Sequence, residues 1–340
     1  MGDDRSALSR FDFAFIPAGP AQSTVDLAVL GEELGYRGMW IPDQGFHRDP
    51  FVLLALAAAA TSRMALGVGI TSPFTRSPVQ IARAAGVIDE VAQHRFRLGL
   101  GTANVVHVVR PMGLRFERPV GRLRDAIHII RALLAGQNVS FDGQEDHING
   151  IQLEFETHPN IPIYVGTRGP QTLELAGRMA DGVLVESLFA GEGLPHVISC
   201  ITAGTARAGR ESHAVDVVSW QIVIVTDEPT RVIDAHRPWI ARALQVGPPE
   251  AMERIGIAPD VIERVADAMN RGDRESAIAG VTDDAIRALM VIGTADQVIQ
   301  QIGEIFGRGA DSVCVLGITD PAATADNLTR FAREVMPAFR

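Results

Sequence analysis

Lysine is missing altogether: the 31 basic residues among 340 are all arginine. That excludes chemistry run through an amine, including Schiff-base aldolases, pyridoxal-phosphate enzymes and Walker-type nucleotide sites. Cysteine is nearly absent. Cys200 and Cys314 lie far apart, each in an apolar segment, which argues against a disulfide framework or a cysteine metal centre and for buried free thiols. No paired histidine spacing of the HExxH kind occurs, so no metal is expected, and no Gly-x-Ser-x-Gly elbow offers a serine nucleophile. The longest strongly apolar run, "FVLLALAAAA" from Phe51 to Ala60, is too short to span a bilayer, and the opening "MGDDRSALSR" lacks an apolar signal core. Positive net charge is lacking too. At −10 the chain repels nucleic acid and anionic membrane surfaces, so a soluble, cytoplasmic protein with a small-molecule partner is expected.

What is present is a regular alternation. Hydrophobic residues make up 46% of the chain, enough for a large core. Strand-like runs fall at Phe11–Pro17, Gly38–Asp43, Met64–Ser72, Arg95–Thr102, Ile161–Thr167, Gly182–Ser187, Val218–Thr226 and Ser312–Thr319. Most are almost continuously apolar, as parallel strands covered on both faces are, and nearly every gap holds a helical pattern. Eight strands in strict β/α alternation predict a (β/α)8 TIM barrel rather than a doubly wound sheet. Two gaps exceed a simple crossover. The first, about residues 136–160, alternates apolar and polar residues around Asp142-Gly143 and Asn149-Gly150 and reads as a hairpin excursion before the fifth strand. The second, about residues 245–285, reads as two or three extra helices before the eighth strand, placed to lid the barrel mouth. No internal repeat appears, so residues 1–340 are expected to form one decorated domain.

In such a barrel the chemistry sits at the C-terminal strand ends. That rule selects Asp43 and Gln44, Thr71 and Ser72, Thr102 and Asn104, Thr167, Arg168 and Gly169, and Glu186 and Ser187. "PIYVGTRGPQTLELAG" (Pro162–Gly177) runs from a strand through Gly-Thr-Arg-Gly-Pro into a helix. It is either an anion site, built from helix-end N–H groups and a guanidinium, or an ordinary turn with a solvated arginine. Asp43 serves a ligand or caps the helix near Pro50. The glycines of "GVGITSP" reflect close packing, a bulge or a flat ligand on the backbone. "GLGTAN" lacks the third glycine of a dinucleotide fingerprint. His47 and His107 fall in barrel-top loops, whereas His94 and His128 read as surface or core residues.

Taken together, "WIPDQGFHRDPF", "GVGITSPFTRSP", "RFRLGLGTAN", "ERPVGRLRDAIHIIRALLAGQNVSFDG", "IPIYVGTRGPQTLELAGRMADGVLVES" and "VGPPEAMERIGIAPDVIERVADAMNRGD" resemble, in order, the luciferase-like flavin and deazaflavin oxidoreductases. Within them the likeness is closest to the coenzyme F420-dependent methylenetetrahydromethanopterin reductases. The resemblance implies that Gly166, Thr167, Arg168, Gly169 and Gln171 hold the cofactor phosphate. It implies a cis peptide from Gly69 to Ile70, followed by Thr71, behind the flat ring, and Asp43, Thr102, Asn104 and His107 around the ring and its side chain. Glu186 joins this cofactor-binding set, and Asp43, Gln44 and Asn104 are the candidates for catalytic roles. Where the reductases carry an acid on the first strand, a histidine after the aspartate and an acid after the fourth strand, this chain has Ala14, Gln44 and Asn104. Carboxylates that would serve a pterin are therefore absent, and the substrate is left unidentified. The implied activity is hydride transfer between the deazaflavin C5 of F420 and an organic substrate. The alternatives are an FMN-dependent monooxygenase using reduced flavin and oxygen, and a non-catalytic flavin-binding barrel. A homodimer or higher homo-oligomer is the expected assembly.

Overall fold

The computed structural model describes residues 9–44, 46–143, 146–317 and 320–340. The strands among them are β1 (Phe11–Phe15), β2 (Gly38–Ile41), β3 (Ala65–Thr71), β4 (Phe96–Leu100), β5 (Val139–Asp142), β6 (His147–Ile151), β7 (Ile163–Gly166), β8 (Gly182–Glu186), β9 (Asp216–Val225), β10 (Met290–Gly293) and β11 (Ser312–Gly317). Pairing runs in parallel through β1, β2, β3, β4, β7, β8, β9 and β11, and β11 returns to β1. Eight strands thus close a TIM barrel ringed by helices, and they are the eight expected from the sequence. The last two residues of the eighth expected run, Ile318 and Thr319, lie outside the described residues.

Local sequence explains the strand-to-helix turns. Proline opens the helices Pro50–Ala60, Pro78–Val91, Pro170–Met179 and Pro321–Glu334, where its missing N–H costs no hydrogen bond. Asp49, Ser77 and Asp320 cap three of them through side-chain oxygens. The cap on Pro50–Ala60 is therefore Asp49, not Asp43, because only Asp49 immediately precedes the first turn and reaches the Phe51 N–H at 2.9 Å.

Both excursions are present. β5 and β6 form the antiparallel hairpin, with Phe141 opposite Ile148, while Gln144 and Glu145 of its turn lie outside the described residues. The second excursion holds Pro249–Arg254, Pro259–Asn270, Arg274–Gly280 and Asp283–Leu289. It ends in a strand that the sequence reading lacks. β10 pairs with β9 from Ile222 to Val225, taking over the edge beyond Trp220, where β8 stops. No helix of the described residues is long and apolar enough to cross a membrane.

Period-two alternation sorts the barrel interior into layers. On β1, Phe13 points outward, since a side chain on Gly31 of the first helix would collide with its ring. Asp12 and Ala14 therefore point inward, and Ile16 reaches the rim. Trp40 occupies the middle, edge-on to Tyr164 at 5.1 Å and tilted against Trp220 at 6.4 Å. Gly67 gives it room: a Cβ there would sit 2.3 Å from the indole.

Beneath Trp40 lies a closed polar network. Asp12, fully buried, accepts from Arg37 Nε and Nη2 at 2.8 Å each and from Trp40 Nε1 at 2.9 Å, with Arg97 Nη1 at 3.3 Å. Arg37 also reaches Ser312 Oγ and Asp216, and Tyr164 donates to Asp216 at 2.8 Å. Burial raises the Asp12 pKa, but the Arg37 charge and its hydrogen bonds prevail and hold it at about 2.

Candidate active site

At the opposite, C-terminal end of the strands opens a cleft of about 560 Å³. Its base is built from the top interior layer: Gly69 of β3, Gly166 of β7, Leu184 of β8 and Trp220 of β9. The β3 register shifts between Val68 and Thr71, and the Gly69–Ile70 peptide is cis. Ile70 then lies against the glycines at the ends of β4 and β7. A Cβ on Gly99, Gly101 or Gly166 would come within 3.1, 2.7 or 2.6 Å of its side chain. "GLG", spanning the end of β4 and the residue after it, is thus fitted to Ile70 and, at Gly99, to the Val68 carbonyl oxygen, which a Cβ there would meet at 2.2 Å; Gly69 itself leaves room for the Trp220 ring at 2.8 Å.

Asp43 follows β2 and lines the cleft. Its Oδ2 accepts from Thr71 Oγ1 at 2.7 Å and from Arg76 Nε at 2.9 Å, and Arg76 continues to Asp49 at 2.8 Å. Its backbone N–H donates to Ile70 O at 3.3 Å, tying the β2 end to the β3 irregularity. Thr71 is fully buried and supports Asp43 without lining the cleft. Gln44 is exposed at the edge. After β4, Thr102 and Asn104 line one wall, and Asn104 Oδ1 accepts from Val106 N at 3.0 Å. The Asn104 carbonyl starts a π-helical turn, Val105–Val109, by accepting from Val108 and Val109. His107 lies in that turn, but its side chain is outside the described residues. His47 is exposed.

The far wall is the turn after β7. Gly166, Thr167, Arg168 and Gly169 all line the cleft at the start of the helix Pro170–Met179. No side chain caps this helix. Thr167 Oγ1 accepts from Gly169 N at 3.1 Å, which orders the turn. A Cβ on Gly169 would meet nothing nearer than 3.9 Å, so the space beside it is open. Arg168 is half-buried and has no hydrogen bond or ion pair to any described residue. Gln171 is exposed and outside the lining, and Thr172 takes the inward position of the first turn. Glu186, at the end of β8, adds a carboxylate to the cleft, while Ser187 is buried outside the lining with no hydrogen-bond partner for its Oγ among the described residues.

Several lining residues escaped the sequence reading. Trp239 and Val246 from the helix Pro229–Val246 line the cleft, as does Pro248 at the start of the second excursion. Phe116 and Ile16 also contribute. Ala14, where a reductase acid is expected, is fully buried below the cleft.

Comparison with known proteins agrees with this geometry. The family described as Luciferase-like monooxygenase matches residues 7–312. The 5,10-methylenetetrahydromethanopterin reductase of Archaeoglobus fulgidus is 32% identical over 281 residues, covering 82% of this chain and 84% of that protein. Its counterpart from Methanolobus tindarius is 30% identical, covering 81% and 84%. The solved coenzyme F420-dependent tetrahydromethanopterin reductase of Methanopyrus kandleri superimposes with a TM-score of 0.88 at 27% identity, over 98% of this chain and all of that one. The barrel, its decorated mouth and these likenesses together place the chain in the luciferase-like family, as an oxidoreductase of the flavin and deazaflavin kind.

Proposed function

We propose that the protein is an F420-dependent oxidoreductase, moving a hydride between the deazaflavin C5 and a small organic substrate. The observation that carries this reading is Arg168, without a partner among the described residues, beside an uncapped helix start. A half-buried guanidinium with no acidic partner among the described residues, next to backbone N–H groups of Gln171 and Thr172 that no side chain caps, is suited to an anion. The donor set fits the phosphate-bearing side chain of such a cofactor. The base of the cleft fits the flat ring system: Gly69 and Gly166 keep it low, and Leu184 and Trp220 make it apolar.

When bound, the cofactor supplies a carbon that accepts or gives a hydride, so the protein's task is orientation and exclusion of water. Thr167, Arg168 and Gly169 anchor the phosphate end. Asp43, held by Thr71 and Arg76 through Oδ2, lines the cleft where the ring would lie. Asn104 and Thr102 offer polar contacts on the opposite wall, and Trp239 with Pro248 shields the mouth from solvent. Gln44, Asn104 and Glu186 are the groups within the cleft that can position or protonate a substrate. The enzyme on this reading is soluble, cytoplasmic, single-domained and homo-oligomeric.

The test is a parallel titration with F420 and FMN, followed by reduction of the bound cofactor with candidate alcohols and aldehydes. Tighter binding of F420 supports the proposal. Preference for FMN, with oxygen uptake that depends on reduced flavin, would replace it with the monooxygenase reading that the family description favours.

A further inference from the structure

A second cluster lies at the other end of the barrel, on the outside of the helix layer. Asp89 sits in the last turn of Pro78–Val91, buried, and its Oδ1 accepts from Phe96 N at 3.3 Å. The chain leaves this helix through Gln93 and His94, two non-glycine residues with φ of 52° and 64°. That reversal folds His94 back, so that its Nδ1 lies 2.8 Å from Asp89 Oδ2. The third member comes from the link between β6 and β7. His158 packs its ring against that of His94, with centroids 4.4 Å apart.

Gly86 explains how the link gets so close. It lies one helical turn before Asp89 on the same face, and a Cβ there would stand 2.7 Å from Thr157 Cγ2 and 3.1 Å from the Phe155 ring. Thr157 Oγ1 donates to Leu134 O at 2.7 Å and fixes the link from its other side. One donor atom from each of Asp89, His94 and His158 lies within 4.8 Å of the other two.

We propose that Asp89, His94 and His158 form a binding site for a divalent cation of the zinc class. Two imidazoles and one carboxylate suit zinc and its borderline neighbours, and disfavour magnesium and calcium, which prefer all-oxygen shells. Tetrahedral bonds of about 2.0–2.2 Å need ligand atoms about 3.3 Å apart, a closure within reach of small side-chain rotations of the exposed His94 and the half-buried His158. The Phe96 N–H on Asp89 Oδ1 is the kind of outer contact that orients a ligating carboxylate. His94 is 61% exposed, which leaves a coordination position open to water. A bound ion would staple the hairpin link to the helix Pro78–Val91, remote from the cleft.

The experiment is equilibrium dialysis of untagged full-length protein against micromolar zinc chloride, with thermal melts, for the wild type, His158→Ala and His94→Ala. The expected result is about one zinc per wild-type chain, a rise in melting temperature with zinc, and at least a tenfold loss of affinity in each variant. Equal zinc retention by the wild type and both variants, or no retention by the wild type, overturns the proposal. His158→Gln, which keeps side-chain volume, replaces His158→Ala if the latter does not fold.

Discussion

The two ends of the barrel treat charge in opposite ways. At the floor, Asp12, Arg37, Arg97 and Asp216 consume one another's hydrogen-bonding capacity, and Asp12 alone accepts four contacts while fully buried. At the rim, Arg168 and Glu186 face the cleft, and Arg168 has no partner among the described residues. Both ends break the apolar pattern of a barrel interior, so a charged residue inside a strand carries two meanings. A satisfied cluster maintains the fold, and an unsatisfied one reserves its capacity for a ligand.

The largest way to break the comparison is at the floor. Asp12→Ala removes the carboxylate shared by Arg37 and Arg97, both largely buried, and leaves Arg37 only Asp216 as an acidic partner, so we expect a loss of about 3 kcal/mol in urea unfolding. Any folded fraction should bind cofactor as the wild type does, because the network does not touch the cleft. Acid is the next probe. The Asp12 pKa is depressed in the folded state to about 2 from an ordinary value of 3.8, so its contribution is complete above about pH 4 and fades as pH falls toward 2. That contribution is about 2 kcal/mol, read from urea midpoints at pH 7, 4 and 2.5. The smallest effect is expected at Gln171, whose side chain is exposed and outside the cleft lining, so that the residue contributes only its backbone N–H. Gln171→Ala should change F420 affinity less than twofold, and a tenfold loss would put its side chain in the site.

Much of this contrast was legible in the sequence, for physical reasons. Buried parallel strands must be apolar along their length, so the eight runs stand out, and proline at helix starts such as Pro50, Pro78, Pro170 and Pro321 marks where several of them have ended. The turn after β7 is local, so glycine, arginine and helix onset can be read side by side. β10 was not legible because Met290–Gly293 is four apolar residues continuing straight from a helix, and such a run has no periodicity to distinguish it. Trp239 and Pro248 reach the cleft through tertiary folding of the helix Pro229–Val246 and of the second excursion that follows it. Gln171 and Thr172 are neighbours in sequence but occupy different faces of the helix, and only the structure shows which one turns inward. The floor did leave a signal: the aspartate in "FDFAF" has no business in a buried strand unless paired. His94 and His158 are separated by more than sixty residues and meet only because Gly86 lets the link close on its helix.

The most direct test of the central claim, that the rim holds an anion through Arg168, compares F420 with the same deazaflavin chromophore lacking its phosphate-bearing side chain. Fluorescence titrations of the wild type and Arg168→Ala are needed, with urea unfolding alongside. The account expects wild-type protein to prefer the intact cofactor, Arg168→Ala to lose about 10- to 100-fold in affinity for it while binding the truncated chromophore unchanged, and stability to shift by no more than about 0.5 kcal/mol. Equal discrimination between the two compounds in wild type and variant would contradict it.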